Sequence, residues 1–173
     1  MEYLDIVDEY GNKTGEILDR ETAHDLNKLH WEVTVYVVNK NGQLLLEKRS
    51  ASKRYSPNKW APCAGHVMSG EEVDVAACRE LKEELGLDLP AADLVMMENG
   101  LLRRQKTNSR IARYFYVICN EDESFFKIQE EELTEVKWFD IDEVIEMVRR
   151  ADNPTCIHAD RLFLLERLKK EVS

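Results

Sequence analysis

Between Gly65 and Leu87 the chain reads GHVMSGEEVDVAACRELKEELGL, which satisfies the spacing G-x5-E-x7-R-E-U-x-E-E-x-G-U, with U apolar, at every specified position. The fixed identities are Gly65, Glu71, Arg79, Glu80, Glu83, Glu84 and Gly86, with Leu81 and Leu87 in the apolar slots. Ser69-x-x-Glu72 has the spacing of a capping box and predicts a helix from about Gly70. Gly86 predicts its end, because glycine tolerates the left-handed conformation of a helix C-terminus. Glu80, Glu83 and Glu84 then stand at i, i+3 and i+4 and share one face. Ala77, Cys78, Leu81 and Leu85 form an adjoining apolar stripe able to dock on a sheet.

Three carboxylates on one face repel one another unless a positive charge sits among them. Mg²⁺ answers that need, since it takes oxygen ligands and binds through a few carboxylates plus substrate phosphates. Gly65 lacks a side chain and lets its carbonyl approach a metal. Arg79 can hold a glutamate in place by a bidentate contact. The bland alternative is a solvated acidic helix face, which explains E-x-x-E-E alone. It leaves Gly65, Glu71 and Arg79 at their fixed distances without a reason.

The remaining chain bounds what such a motif can serve. Its 173 residues fit one domain, 1–173, with room for a proper core. A net charge of −10 opposes binding to a nucleic-acid polymer, but not to a small diphosphate accompanied by divalent metal. The start Met1-Glu2-Tyr3-Leu4-Asp5 has no basic region followed by a long apolar stretch, so no signal peptide is expected. Apolar runs such as Tyr114 to Cys119 are too short to span a bilayer. Cys63, Cys78, Cys119 and Cys156 show no C-x-x-C spacing, which argues against a zinc or redox motif. A soluble cytoplasmic protein is expected, with a homodimer left open.

Periodicity places the motif within an α/β arrangement. Tyr3 to Val7 and Thr14 to Leu18 read as a hairpin around Tyr10-Gly11-Asn12, and Asp19 as the cap of a short helix to about Lys28. Val33 to Asn39 and Gln43 to Lys48 form a second hairpin about Lys40-Asn41-Gly42. Ser50 to Lys59 is polar and reads as a loop. Strands are expected at Leu94 to Met97 or beyond, Ile111 to Cys119 and Glu135 to Phe139. Asp140-x-x-Glu143 predicts a helix to about Ala151. Asn153-Pro154-Thr155 predicts the start of a last helix carrying Leu162, Phe163, Leu165 and Leu168.

The Gly65–Leu87 segment resembles the signature box of the Nudix hydrolases, enzymes that cleave diphosphates linked to another group. The resemblance implies an α/β/α sandwich with a mixed β-sheet, an N-terminal hairpin and a C-terminal amphipathic helix. It further implies Mg²⁺ or Mn²⁺ as cofactor and hydrolysis of a phosphoanhydride in a nucleoside or other organic diphosphate. On that basis Gly65, Glu80, Glu83 and Glu84 are the candidate metal ligands. Glu83 is also the candidate base, and Arg79 a second catalytic candidate, with Glu71 as an orienting group. Glu130, Glu131 and Glu132 offer an alternative base or an acidic surface run.

Outside the box, Leu4-Asp5-Ile6-Val7-Asp8-Glu9, Gly11, Gly15, Arg20-Glu21-x-Ala23-His24 and Leu29-His30, with Trp60 and Gly65-His66, are similar to the branch that includes isopentenyl-diphosphate isomerase. The likeness raises an isomerase as a rival function, with His24, His30 and His66 echoing that branch's metal histidines. Two departures stand against it. The isomerases place a reactive cysteine directly before the box glycine, where this chain has Ala64. Their later Glu-x-Glu pair corresponds here to Asn108-Ser109-Arg110-Ile111-Ala112-Arg113, which holds no acid. Cys63 reads as a small apolar loop residue pointing away. A silent binding module would be marked by a lost box acid, and none is lost.

Substrate phosphates need cations. Lys48, Arg49, Lys53 and Arg54 form one group, and Arg103, Arg104, Lys106, Arg110 and Arg113 another; phosphate binding and solvated loop charge are both open readings. Trp60 or Tyr55 can stack on a base or simply pack. Lys48, Arg49, Arg54, Trp60 and Arg103 are the substrate-binding candidates carried forward.

Overall fold

The computed structural model describes residues 1–173. β1 (Tyr3–Val7) and β2 (Lys13–Asp19) form an antiparallel hairpin, followed by α1 (Arg20–Asp25). Asp19 caps α1 by accepting from the Thr22 N–H at 3.0 Å. The helix stops short of Lys28, where Asn27 takes a left-handed φ of 51°. The main sheet comprises β3 (His30–Val38), β4 (Gln43–Arg49), β5 (Trp60–Ala61), β6 (Cys63–His66), β7 (Val95–Arg103), β8 (Arg110–Ile118) and β9 (Leu133–Asp140). Its pairing is mixed: β3 and β8 run parallel over their full length, and the other pairs are antiparallel.

Strand alternation sorts the apolar residues into two layers. Val33, Val35, Val37, Leu45, Phe115 and Val117 face Ala76, Ala77, Leu81 and Leu85 of α2 (Val73–Leu85). Tyr36, Val38, Leu44, Leu46 and Tyr114 face the opposite side, covered by α3 (Ile141–Arg149) and α4 (Leu162–Glu171). The result is the expected α/β/α sandwich with a mixed sheet.

The joint between β3 and β4 positions the site. The two strands pair in register only at Val38↔Leu44 and then part. β6 takes the vacated edge of β3 and β5 that of β4, with Pro62 between them. A cleft opens where the strands diverge, and α2 crosses one side of it.

Several sequence expectations are corrected. α2 begins at Val73, after Glu72, with no side-chain cap. Ser69 does not cap it, because its hydroxyl donates to Asp5 Oδ1 at 2.8 Å and the Gly70 N–H donates to Asp5 Oδ2 at 3.0 Å. A partner on β1 has outcompeted the local capping geometry. Asn153 does not start a helix either. Its side chain accepts from Thr155 and donates to the Ile157 carbonyl, locking a loop, and α4 begins at Leu162 with Phe163 exposed. Gly86 does end α2, at φ 67°, with its own N–H and that of Leu87 bonded to the Lys82 and Leu81 carbonyls.

Candidate active site

Glu80, Glu83 and Glu84 project from one side of α2 toward the cleft, which their side chains help to line. Glu80 is largely buried and Glu83 half exposed. Arg79 organises this group. Its Nε and Nη2 donate to the two oxygens of Glu71 at 2.8 and 3.1 Å, a bidentate grip. Its Nη1 reaches Glu80 Oε1 at 2.7 Å and Glu83 Oε2 at 3.1 Å, and Nη2 also donates to the His66 carbonyl at 2.9 Å. Glu71 in turn accepts from the Met68 N–H. One guanidinium therefore ties the loop before α2 to the carboxylates on it.

Gly65 lies directly against Glu80, whose carboxylate fills the space a Cβ at position 65 would need. Burial, followed by the charge of Glu84, pushes the Glu80 carboxyl up to about 8. Burial raises Glu84 as well.

Two carboxylate-bearing residues share this pocket in a way the motif did not disclose. Glu47, on β4, is 2% exposed, and its Oε1 is buried without a hydrogen-bond partner; the same holds for Glu84 Oε2. Burial and then the Glu84 charge hold Glu47 well above the carboxylate range. Cys63 is a strand residue, not a loop residue, and its Sγ faces inward: ligand atoms of Glu47, Cys63 and Glu84 all lie within 4.8 Å of one another. Alternation carried the signal for Glu47, which sits two residues past Leu45 on the face that packs against α2. An acid on a buried strand face is unusual without a partner.

The three histidines also converge. His24 from α1, His30 from β3 and His66 from β6 have ring centroids 5.1–5.2 Å apart, and their nitrogens form a second cluster within 4.8 Å. His24 Nε2 and His66 Nε2 share a 3.2 Å hydrogen bond, whereas buried His30 Nε2 has no partner. Burial, with positive charge nearby, lowers His24 to about 4 and pulls His66 well down; burial also lowers His30. No acid of the β8 segment joins them. Arg110 stands beside His30 in the parallel register and pairs with Glu32 at 3.0 Å.

Among the cations, Arg49, Lys53, Arg103, Arg110 and Arg161 line the cleft. Lys48, Arg54 and Trp60 do not. Trp60 packs edge-on to Phe139 at 5.0 Å, Lys48 lies over the Trp60 ring, and Arg54 lies over Tyr55. Glu132 is at the rim, paired with Lys53, while Glu130 and Glu131 are exposed.

Residues 28–158, which include this glutamate-lined helix and the split sheet beside it, match the NUDIX domain model. The chain belongs to the NUDIX domain family. Isopentenyl-diphosphate Delta-isomerase of Pectobacterium atrosepticum is 35% identical over 107 residues, covering 58% of this chain and 59% of that protein, under two thirds of its length. The Nudix chain also shares its fold with DR0079 of Deinococcus radiodurans, at a TM-score of 0.72 and 23% identity, over 96% of this chain and 99% of that one. The Ap4A hydrolase of C. elegans superposes with a TM-score of 0.60 at 23% identity, over 82% of this chain and 96% of that one.

The donor set fits the divalent metal that such a family implies. Oxygen ligands cluster on Glu80 and Glu84, one carboxylate oxygen is buried without a donor, and Gly65 leaves room for close approach.

Proposed function

We propose that this Nudix protein is a metal-dependent hydrolase cleaving a phosphoanhydride bond in a nucleoside or other organic diphosphate linked to a second group. The observation that carries the reading is the buried pair Glu80 and Glu84 beside Gly65, with both carboxyl groups raised by burial and Glu80 raised further by the Glu84 charge. Such a pair is costly on its own and is relieved by a cation.

Glu80 and Glu84, with the Gly65 carbonyl, would hold Mg²⁺ or Mn²⁺. When bound, the metal supplies charge neutralisation at the diphosphate and a template for in-line displacement. Glu83, half exposed at the cleft, accepts the proton of the attacking water. Arg79 fixes Glu80 and Glu83 in position and acts through them, so it is a positioning residue. Arg49, which donates to the Tyr55 carbonyl, and Arg103, paired with Asp160, both line the cleft and are the cations we assign to phosphate oxygens. In this reading residues 1–173 form one domain that carries all of these groups. Incubation with a library of organic diphosphates and Mg²⁺ or Mn²⁺, read by phosphate release and product mass, tests the proposal. No cleavage of any member would sink it.

One observation favours a second reading. His24, His30 and His66, which echo the metal histidines of the isomerase-like branch, converge with lowered pKa values and offer three nitrogen ligands. Against isomerisation, Ala64 precedes Gly65, Cys63 turns toward Glu47 and Glu84, and Arg110 and Ala112 stand in place of acids. Isopentenyl diphosphate should therefore be recovered unchanged; formation of its allylic isomer, lost on His30→Ala, would reverse the ranking.

A further inference from the structure

Glu47 and Cys63 lie outside the helix motif, yet both are almost fully enclosed beside Glu84. A carboxylate oxygen and a sulfur do not gather in an apolar layer without a reason, because each unpaired polar atom there costs free energy. Glu47 Oε1 and Glu84 Oε2 have no partner among the protein's fixed hydrogen-bond donors, and the two carboxyl groups and the Cys63 thiol are left to one another. Arg79, the cation nearest the motif acids, is committed to Glu71, Glu80, Glu83 and the His66 carbonyl, and donates to neither Glu47 nor Glu84. The three ligand atoms already lie within 4.8 Å of one another. Three protein ligands, two of them, Glu47 and Glu84, also lining the cleft, match the protein share of a tetrahedral site whose fourth position is filled from outside.

We propose that Glu47, Cys63 and Glu84 form a second metal position, selective for a borderline first-row dication of the cobalt and zinc type over Mg²⁺. This rests on reading the glutamate cleft as a metal site. Sulfur is the discriminating ligand. Thiolate favours softer ions, whereas Mg²⁺ demands near-octahedral oxygen and sheds water reluctantly. On binding, Cys63 releases its proton to solvent and becomes a thiolate ligand. Glu84 is common to this position and to the Glu80–Gly65 group, so the inner ion would sit against the outer one at the point where β3 and β4 part.

Titration of the metal-free protein with Co²⁺ under anaerobic conditions tests this by absorbance. A saturable near-ultraviolet thiolate-to-cobalt charge-transfer band is expected, which imidazole and carboxylate ligands do not produce. Cys63→Ser should abolish it and Cys156→Ser should retain it. Absence of the band in the parent protein, or its survival in Cys63→Ser, overturns the proposal. Should Cys63→Ser fail to fold, Glu47→Gln decides: the apparent Co²⁺ Kd should rise roughly tenfold or more, and an unchanged Kd counts against the site. The readout needs no turnover. A charge-transfer band without hydrolysis refutes the hydrolase reading alone, and Mg²⁺-supported hydrolysis without a band refutes the second position alone.

Discussion

The carboxylate of Glu80 occupies the space in which a side chain on Gly65 would begin. Strand and helix meet there with no slack, since β6 is held in the sheet by β3 and α2 is buried along its apolar stripe. Gly65→Ala should displace Glu80, lowering kcat on any accepted diphosphate by about a hundredfold and the melting temperature by several degrees, as overpacking costs about 1–3 kcal/mol. Steady-state kinetics and calorimetry check both.

Removing the charge of an acid separates its two roles. Glu80→Gln and Glu84→Gln should each cut turnover by about two orders of magnitude or more, and each should raise the melting temperature of the metal-free protein. Glu83→Gln should cut turnover with little change in stability, because that side chain is half exposed. A parallel fall in stability and rate for Glu84→Gln would assign it a structural part instead.

Arg79→Lys keeps the charge and loses the fork. The grip on both oxygens of Glu71 cannot be reproduced by an ammonium group. We expect kcat to fall while substrate KM changes less, and the loop from Met68 to Glu72 to exchange amide hydrogens faster. Equal kinetics in Arg79→Lys would remove the bidentate contact from the mechanism.

Stability should depend on pH in two opposed ways. Glu80 has a raised pKa of about 8, so its favourable contribution is present at low pH and is lost as pH climbs from 4.5 through 8. His24 has a lowered pKa of about 4, so its contribution is present above 6.5 and is lost as pH falls toward 4. Between pH 4.5 and 6.5 the two effects oppose each other, and above 6.5 the Glu80 loss acts alone, so metal-free protein should melt highest from about pH 4.5 to 6.5 and lower toward pH 8. Saturating Mn²⁺ should lift the alkaline limb, since a bound cation stabilises the ionised carboxylates and binds only the folded form. A melting profile with no alkaline decline, or one that Mn²⁺ leaves untouched at pH 8, contradicts a buried Glu80 carboxylate at a metal site.

How far the sequence could be read depended on where each interaction found its partner. Glu80, Glu83 and Glu84 were legible because helical spacing alone puts them on one side, and Gly86 because a left-handed residue is needed where the helix ends. The Asn41-Gly42 turn likewise announced β3 and β4. Glu47 showed only as an acid on the buried side of β4 and Cys63 not at all, since each joins a site only through contacts between separate elements. Ser69 misled for the same reason: its local capping pattern was overridden by Asp5, far away in the chain. β5 and β6 escaped notice because two- and four-residue strands around Pro62 carry too few side chains for a period to show.

The parallel pairing of β3 with β8 bears on how the molecule assembles. Its partners, from His30↔Arg110 to Val38↔Ile118, are about eighty residues apart, so closing that loop carries an entropic cost that neighbouring hairpins do not. The β1–β2 and β7–β8 hairpins and α2 itself can form from local contacts; the β3–β8 pairing that completes the sheet behind α2 cannot. During refolding, helical signal should appear before any capacity to bind Mn²⁺. Until β8 docks, the β3 strand behind α2 lacks the partner that runs along its whole length, and the chain has the ligands of a metal site without the rigid sheet that holds them in place.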